Sequence, residues 1–261
     1  MWKPFLILLF LIFAPLFIIA QTKNPAAKKH EAVCIVGSDV GYDYETRTEE
    51  IAEFLEAKNI KVHRFYDGNN NWDQIKRVAE NCSFFIYSGH GTNLGLDGGY
   101  GGIVVDNFIS AQQIVKELKF KKDAIVVFQS ACGSAGSSSG DQGDIGVKKA
   151  CDRVIGTATP FLLSGAKVFY ANNYIGGAKD FVSNILEGKT INEAFITTTE
   201  TWNKIEKNDQ LIDKRLSPIF QIGISSEKQW NKANSKRKGY HIAYVGVPNF
   251  KLNELNLLSK K

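Results

Sequence analysis

The chain is poor in the residues that most often indicate a cross-linked or metal-bound fold. It has four cysteines and four histidines among 261 residues. Four cysteines are too few for a disulfide scaffold in a chain of this length. His30, His63 and His241 show no spacing typical of metal ligands, and "GSDVG" (37–41) does not fit a dinucleotide or phosphate-binding loop. We therefore expect no metal and no cofactor.

The chain also lacks a strong excess of charge of one sign. Its formal net charge is +5, from 32 lysines and arginines against 27 aspartates and glutamates. The densest basic cluster, "KANSKRKGY" (232–240), is typical of a solvated loop. We therefore expect no nucleic-acid partner.

Long hydrophobic runs are limited to the N-terminus, "MWKPFLILLFLIFAPLFIIA" (1–20). One early cation, Lys3, a long apolar stretch and Ala20 before polar residues are the order of a secretory signal. The stretch is nearly long enough to span a bilayer, but Pro15, the lone cation and Ala20 favour cleavage. We expect a signal peptide at 1–20, a secreted or periplasmic protein with net charge +4 after loss of Lys3, and no stable membrane insertion after cleavage.

About 240 residues then remain, which is enough for one large α/β domain. Hydrophobic periodicity predicts strands at 32–37, 60–66, 83–89, 123–130, 166–172, 219–224 and 240–247, and helices at 46–59, 72–81, 110–118, 147–165, 178–188 and 191–208. Regular alternation of strand and helix predicts an α/β fold with a mostly parallel central sheet and helices on both faces.

Two of the predicted strands end in a reactive side chain. "FFIYSGHG" (84–91) delivers His90, and "AIVVFQSACG" (124–133) delivers Cys132. Catalytic groups in open α/β sheets lie outside the carboxyl ends of the strands, so neighbouring strands would bring both side chains into one crevice. An imidazole beside a thiol, with a backbone N–H nearby, is what thiol acyl transfer requires. Gly91 lets the backbone approach a substrate without a Cβ.

This pair of motifs, His-Gly first and Ala-Cys-Gly second with a helix between them, resembles the caspase-like cysteine peptidases of clan CD. That superfamily includes caspases, metacaspases, legumains, gingipains and CHAT domains. The resemblance extends over roughly residues 32–250. Residues 163–195 resemble the stretch after the nucleophile in CHAT-type and gingipain-type members. "YVGVPNFKL" (244–252) resembles their late segment, with Val247 where Asp is usual.

The resemblance implies a caspase-like three-layer sandwich over residues 32–252, after a short linker (21–31) and before a C-terminal tail (253–261). It implies a cysteine endopeptidase that acts on a peptide or protein substrate. The catalytic dyad would be His90 and Cys132, and the N–H groups of Gly91 and Cys132 would form the oxyanion hole. The family needs no third carboxylate.

Substrate specificity stays open. The resemblance implies a pocket lined by the loop after the first strand (37–47) and by Ser130, two residues before the nucleophile. Neutral Ser130 removes the acid that metacaspases use to bind Arg or Lys. Arg47 would favour Asp or Asn before the scissile bond if it faces the pocket, but a helix cap or a solvated position also explains it. Asp39 and Asp43 are available to bind a basic residue or a cation.

Two further expectations concern the remaining cysteines and the loop after Cys132. In a caspase-like sheet Cys34 and Cys82 would lie near the same end, either as a disulfide or as buried free thiols. The Gly/Ser-rich loop (133–144) is poor in large apolar residues, so we expect it to be mobile without substrate. Self-cleavage, if it occurs, is expected at Asp141, Asp144, Lys148 or Lys149.

Two other functions are compatible with the same sequence. One is a catalytically silent caspase-like module that binds a partner through the cleft. The other is a non-peptidase thiol amidase, which differs only in its substrate.

Overall fold

A computed structural model describes residues 30–66, 68–141, 143–173, 177–201, 205–227 and 239–252. The predicted signal peptide, nearly all of the predicted linker and the predicted C-terminal tail lie outside the described residues. The strands are β1 (Glu31–Val36), β2 (Lys61–Phe65), β3 (Phe84–Ser88), β4 (Ile103–Val104), β5 (Phe108–Ile109), β6 (Ile125–Gln129), β7 (Val168–Asn172), β8 (Ile205–Leu211), β9 (Gln221–Glu227) and β10 (Gly239–Gly246). The helices are α1 (Tyr42–Ala57), α2 (Trp72–Ala79), α3 (Ala111–Glu117), α4 (Gly146–Leu163), α5 (Gly177–Leu186) and α6 (Ile191–Thr201).

Eight of these strands form one sheet in the order β2-β1-β3-β6-β7-β10-β9-β8. The pairs from β2 to β7 are parallel, and the pairs from β7 to β8 are antiparallel. β4 and β5 form a separate two-stranded hairpin between β3 and α3. The predicted α/β fold with a mostly parallel central sheet is confirmed.

Helices cover both faces of this sheet and create three layers. Along β1, Val33 and Ile35 enter one core cluster with α2, α3 and α4. Ala32 and Cys34 point to the other face and pack with α1, α5 and α6. Every residue of β3, β6 and β7 is buried, as expected for strands covered on both faces.

Local sequence was misleading at one predicted helix. The predicted helix 191–208 ends as α6 at Thr201, and β8 follows at Ile205. β8 pairs with the edge of β9, and such pairing overrides a weak local preference. By contrast, α4 continues through Gly156 and Pro160. A Cβ on Gly156 would lie 2.7 Å from the carbonyl oxygen of Tyr100, so close packing requires this glycine.

Cys34 and Cys82 are free, buried thiols in different core clusters on opposite faces of the sheet. Of the two alternatives, the disulfide is therefore wrong and the buried thiols are confirmed. Burial raises the pKa of both thiols, which makes them unreactive at neutral pH. Cys151 is also free and buried, as expected for a core position.

Among the described residues, no helix has the length and apolar character needed to cross a membrane.

Candidate active site

The ends of β3 and β6 bring the two predicted catalytic loops into contact. The strands are parallel neighbours with Ser88 opposite Gln129, and both His90 and Cys132 follow within three residues. A Cβ on Gly91 would lie 1.8 Å from the carbonyl oxygen of Cys132 and 2.7 Å from its nitrogen. The two backbones therefore touch, and only glycine fits between them. His90 is exposed and Cys132 is partly buried, so solvent reaches both side chains.

The His90 imidazole is oriented by a backbone carbonyl. Its Nε2 lies 3.0 Å from the carbonyl oxygen of Asp39. A carbonyl can only accept a hydrogen bond, so Nε2 carries the proton and Nδ1 is the basic nitrogen. Asp39 adopts a φ of 60°, in the left-handed region, where few residues other than glycine occur. Asp39 thus contacts the site through its backbone, whereas the sequence pointed to its carboxylate.

A buried tyrosine holds the backbone of the histidine loop, residues 90–94. The hydroxyl of Tyr87 donates to the carbonyl oxygen of His90 at 3.0 Å and accepts the N–H of Val104 at 3.1 Å. Gly89 lies against this side chain, since a Cβ there would be 2.4 Å from the hydroxyl oxygen. Tyr87 therefore links β3, the histidine loop and the β4–β5 hairpin. It is a positioning residue that the sequence pattern did not single out.

We expect Tyr87→Phe to lower turnover by about tenfold, while Tyr244→Phe leaves turnover unchanged. Both tyrosines are fully buried, but the Tyr244 hydroxyl bonds to Asn192, away from the dyad. Loss of the Tyr87 hydroxyl leaves the buried Val104 N–H unpaired, which should cost about 1–3 kcal/mol of unfolding free energy. Urea unfolding and kcat measured on both variants test this. Equal kcat in the two variants would contradict a positioning role.

Two backbone donors point to an oxyanion-binding site. Neither the N–H of Gly91 nor the N–H of Cys132 donates a hydrogen bond to any described residue. The two groups belong to backbones in direct contact. Such free, adjacent donors are suited to bind the negative oxygen of a tetrahedral intermediate.

The Cys132 thiol has two polar neighbours besides the histidine loop. Its Sγ lies 3.6 Å from the Ser139 hydroxyl. Burial raises the pKa of Tyr44, and the nearby Cys132 raises it further, whereas Arg47 acts in the opposite direction. Tyr44 in the first turn of α1 is therefore close enough to the thiol to interact with it electrostatically. The described residues include no hydrogen bond between His90 and Cys132, and catalytic hydrogen bonds often tighten only when substrate binds.

The predicted specificity residues have different surroundings. Arg47 is 20% exposed and lies 3.9 Å from the carboxylate of Asp43 on the same helix, which is 81% exposed, so the ion pair is a weak one at the surface. Ser130 has a φ of 61°, and its N–H donates to the Asn172 carbonyl at 2.8 Å. The Ser130 hydroxyl is buried and makes no hydrogen bond within the described part of the chain. Two other polar groups at the same strand ends, Gln129 Oε1 and Asn173 Oδ1, are likewise buried without a partner among the described residues.

The first part of the loop after Cys132 is more buried than its composition predicts. Residues 133–137 are buried. The N–H of Ser137 donates to the Tyr240 carbonyl at 2.9 Å, and the Tyr240 N–H donates to the Ser137 hydroxyl at 2.8 Å. The Ser134 hydroxyl donates to the Ala131 carbonyl at 2.6 Å. The premise that this segment buries little surface is therefore wrong for residues 133–137.

An ion pair fastens the far end of the same loop. The Arg153 guanidinium of α4 binds both carboxylate oxygens of Asp141, at 2.6 and 2.8 Å, and also the Gly136 carbonyl. Both charged side chains are about one-tenth exposed. Because Asp141 is engaged in this way, exposed Asp144 is the more accessible of the two predicted acidic cleavage points, and Lys148 and Lys149 lie within α4.

The Asp141–Arg153 pair should make loop stability depend on pH. Burial alone would raise the pKa of Asp141, but hydrogen bonds from Arg153 and from the Ser138 N–H hold it below its usual range. A lowered carboxyl pKa stabilises the fold above about pH 4, and the contribution is lost as the pH falls through the folded-state pKa.

We therefore expect Asp141→Asn to lower the free energy of unfolding by about 1–3 kcal/mol at pH 7, with a smaller difference from wild type below pH 3. Exposed Asp144→Asn is the matched control and should change little. Hydrogen exchange of residues 133–141 is the local readout. Rapid wild-type exchange there at pH 7 would contradict the prediction.

No group of three or more His, Cys, Asp or Glu side chains suited to a metal ion occurs among the described residues. Comparison of the chain with models of known protein families gives no match, and comparison with curated proteins gives none either.

Proposed function

We propose that this protein is a caspase-like cysteine endopeptidase with a His90–Cys132 dyad. The observation that carries the proposal is the contact between the Gly91 and Cys132 backbones, which unites two free N–H donors with the thiol. The hydrogen bond from His90 Nε2 to the Asp39 carbonyl supports it, because that bond leaves Nδ1 as a base.

The proposed reaction follows from these groups. His90 Nδ1 takes the thiol proton, and Cys132 Sγ attacks the peptide carbonyl. The N–H groups of Gly91 and Cys132 stabilise the oxyanion. The imidazolium then gives its proton to the leaving amine as the C–N bond breaks, and an acyl-enzyme remains on Sγ. Water, deprotonated by His90, hydrolyses the thioester and restores the thiol.

Ser130 and Arg47 are the candidates for selecting the substrate side chain before the scissile bond. The Ser130 hydroxyl is buried without a partner among the described residues, so it would bind a polar substrate side chain only after the surrounding loops open. Arg47 forms a solvent-exposed ion pair with Asp43, and its guanidinium has five N–H donors, so it can bind an acidic side chain without losing that pair. Cleavage profiles against a peptide library would decide between acidic, amide and basic residues. Small amides in the same screen would reveal a thiol amidase.

Labelling with an electrophilic peptide probe tests the dyad directly. We expect one adduct, on Cys132, and at least tenfold slower labelling in His90→Ala. Cys34, Cys82 and Cys151 are internal controls, since burial raises the pKa of each thiol. Labelling at Cys132 that is independent of His90, without peptide hydrolysis, would favour a silent binding module.

Export is a separate part of the proposal. We expect secreted or periplasmic protein to begin at Gln21, because the apolar run ends at Ala20 and polar residues follow. Intact-mass measurement of the exported protein tests this. A mass that includes residues 1–20 would contradict it and favour a retained membrane anchor.

A further inference from the structure

A cleft of about 550 Å³ opens beside His90 and Gly91. It is lined by the histidine loop and by Asp39, Val104 and Phe108. Its volume lies within the range of small-ligand sites in proteins. None of its lining residues comes from the loop after β6.

The walls of this cleft are largely apolar. Leu94 and Val104 form part of the lining, and Phe108 stands at its edge with 70% of its surface exposed. A large exposed aromatic residue at the edge of a concave apolar site is typical of a binding surface. Exposed Asp39 also belongs to the lining, and an acidic residue at this position disfavours an acidic ligand.

The cleft is already formed without a ligand. The Leu94 carbonyl accepts the Ala111 N–H at 2.9 Å, and the Thr92 hydroxyl donates to the Gly101 carbonyl. Tyr87 joins the histidine loop to Val104 through its hydroxyl. These bonds fix the hairpin that carries Phe108 against the histidine loop, so little ordering is needed on binding.

The position of the cleft relative to His90 and Cys132 indicates which half of the substrate it binds. In the proposed reaction the acyl half of the substrate stays bonded to Cys132, while the amine half leaves after protonation by His90. The cleft has His90 in its wall and no lining residue from the loop that carries Cys132, which favours the leaving-group side of the scissile bond.

We propose that this cleft binds the substrate residue immediately after the scissile bond and selects a bulky apolar side chain such as Leu or Phe. The assignment to the leaving group rests on the proposed function, because it uses the roles of His90 and Cys132. An apolar pocket of this kind discriminates between side chains of different size by about 10- to 200-fold.

A binding experiment tests the cleft without requiring turnover. Cys132→Ala protein is mixed with leucine amide or glycine amide, and saturation-transfer NMR reports the bound ligand. We expect a stronger signal for leucine amide than for glycine amide. The leucine amide signal should be lost in Cys132→Ala/Phe108→Asp and retained in Cys132→Ala/Leu163→Asp. Leu163 is the matched control, since it is 62% exposed at the end of α4. The proposal would be overturned if both amides gave equal signals, or if Phe108→Asp left the leucine amide signal unchanged.

A second experiment assigns the cleft to the leaving group. An acyl-enzyme formed from an ester substrate partitions between water and an added amine, and the amine must occupy the leaving-group site. We expect leucine amide to capture the acyl group at least tenfold better than glycine amide, and this preference to vanish in Phe108→Asp while hydrolysis of the ester continues. A preference unchanged by Phe108→Asp would overturn the assignment. Binding without any acyl-enzyme would instead overturn the proposed function, and with it the leaving-group role.

Discussion

Cys132→Ala should reduce peptide hydrolysis by about 10³-fold or more while leaving the fold intact. Removing the nucleophile of a covalent peptidase leaves only the oxyanion donors and substrate binding to accelerate the reaction. The side chain is partly exposed at the start of a loop, so its truncation removes little core packing. The melting temperature should therefore change by a few degrees at most.

Cys151→Ala is the matched control for this variant. Cys151 is 6% exposed within α4 and belongs to the core cluster beneath the sheet. We expect the opposite pattern from it: a lower melting temperature and an unchanged kcat on the best peptide of the library. Wild-type kcat in Cys132→Ala, measured on protein purified free of other peptidases, would show that Cys132 is not the nucleophile.

The sequence indicated which strands end in His90 and Cys132 but left open whether these strands are neighbours, and the structure shows that β3 and β6 are. β3 and β6 are buried at every position, and such apolar runs alternating with helices indicate a parallel sheet. The carboxyl ends of neighbouring parallel strands lie at the same edge of the sheet. His90 and Cys132, which follow these two ends, are therefore expected to lie close together. The contact of Gly91 with Cys132 agrees with that reasoning.

The parts that the sequence did not predict are contacts between residues far apart in the chain. Asp39 orients His90 through a carbonyl oxygen, and any residue type has one, so no side-chain pattern indicates it. The loop after Cys132 resembles a mobile segment by composition, yet Arg153 in the following helix pairs with Asp141. β8 is a strand because it pairs with the edge of β9. The local sequence of residues 205–211 contains no information about that partner.

Gly91→Ala keeps both reactive side chains, His90 and Cys132. Among such substitutions in the histidine loop, we expect it to be the most damaging. The added Cβ would lie 1.8 Å from the Cys132 carbonyl oxygen and 2.7 Å from the Cys132 nitrogen and carbonyl carbon. All three atoms belong to the backbone, so relief requires the two loops to separate. Overpacking of this kind typically costs about 1–3 kcal/mol of unfolding free energy.

Separation of the loops should affect catalysis more than stability. It moves the Gly91 N–H away from the Cys132 N–H, and loss of one oxyanion donor lowers kcat by about 10²- to 10³-fold. Gly140→Ala is the control, because a Cβ there meets no atom within 4 Å and the residue belongs to the loop after the nucleophile. We expect kcat to fall in Gly91→Ala alone, with Cys132 still open to a small alkylating reagent. If Gly91→Ala kept both wild-type stability and wild-type kcat, the close approach of the two loops would not be required for activity, and the oxyanion hole would have to be sought elsewhere along the sheet edge.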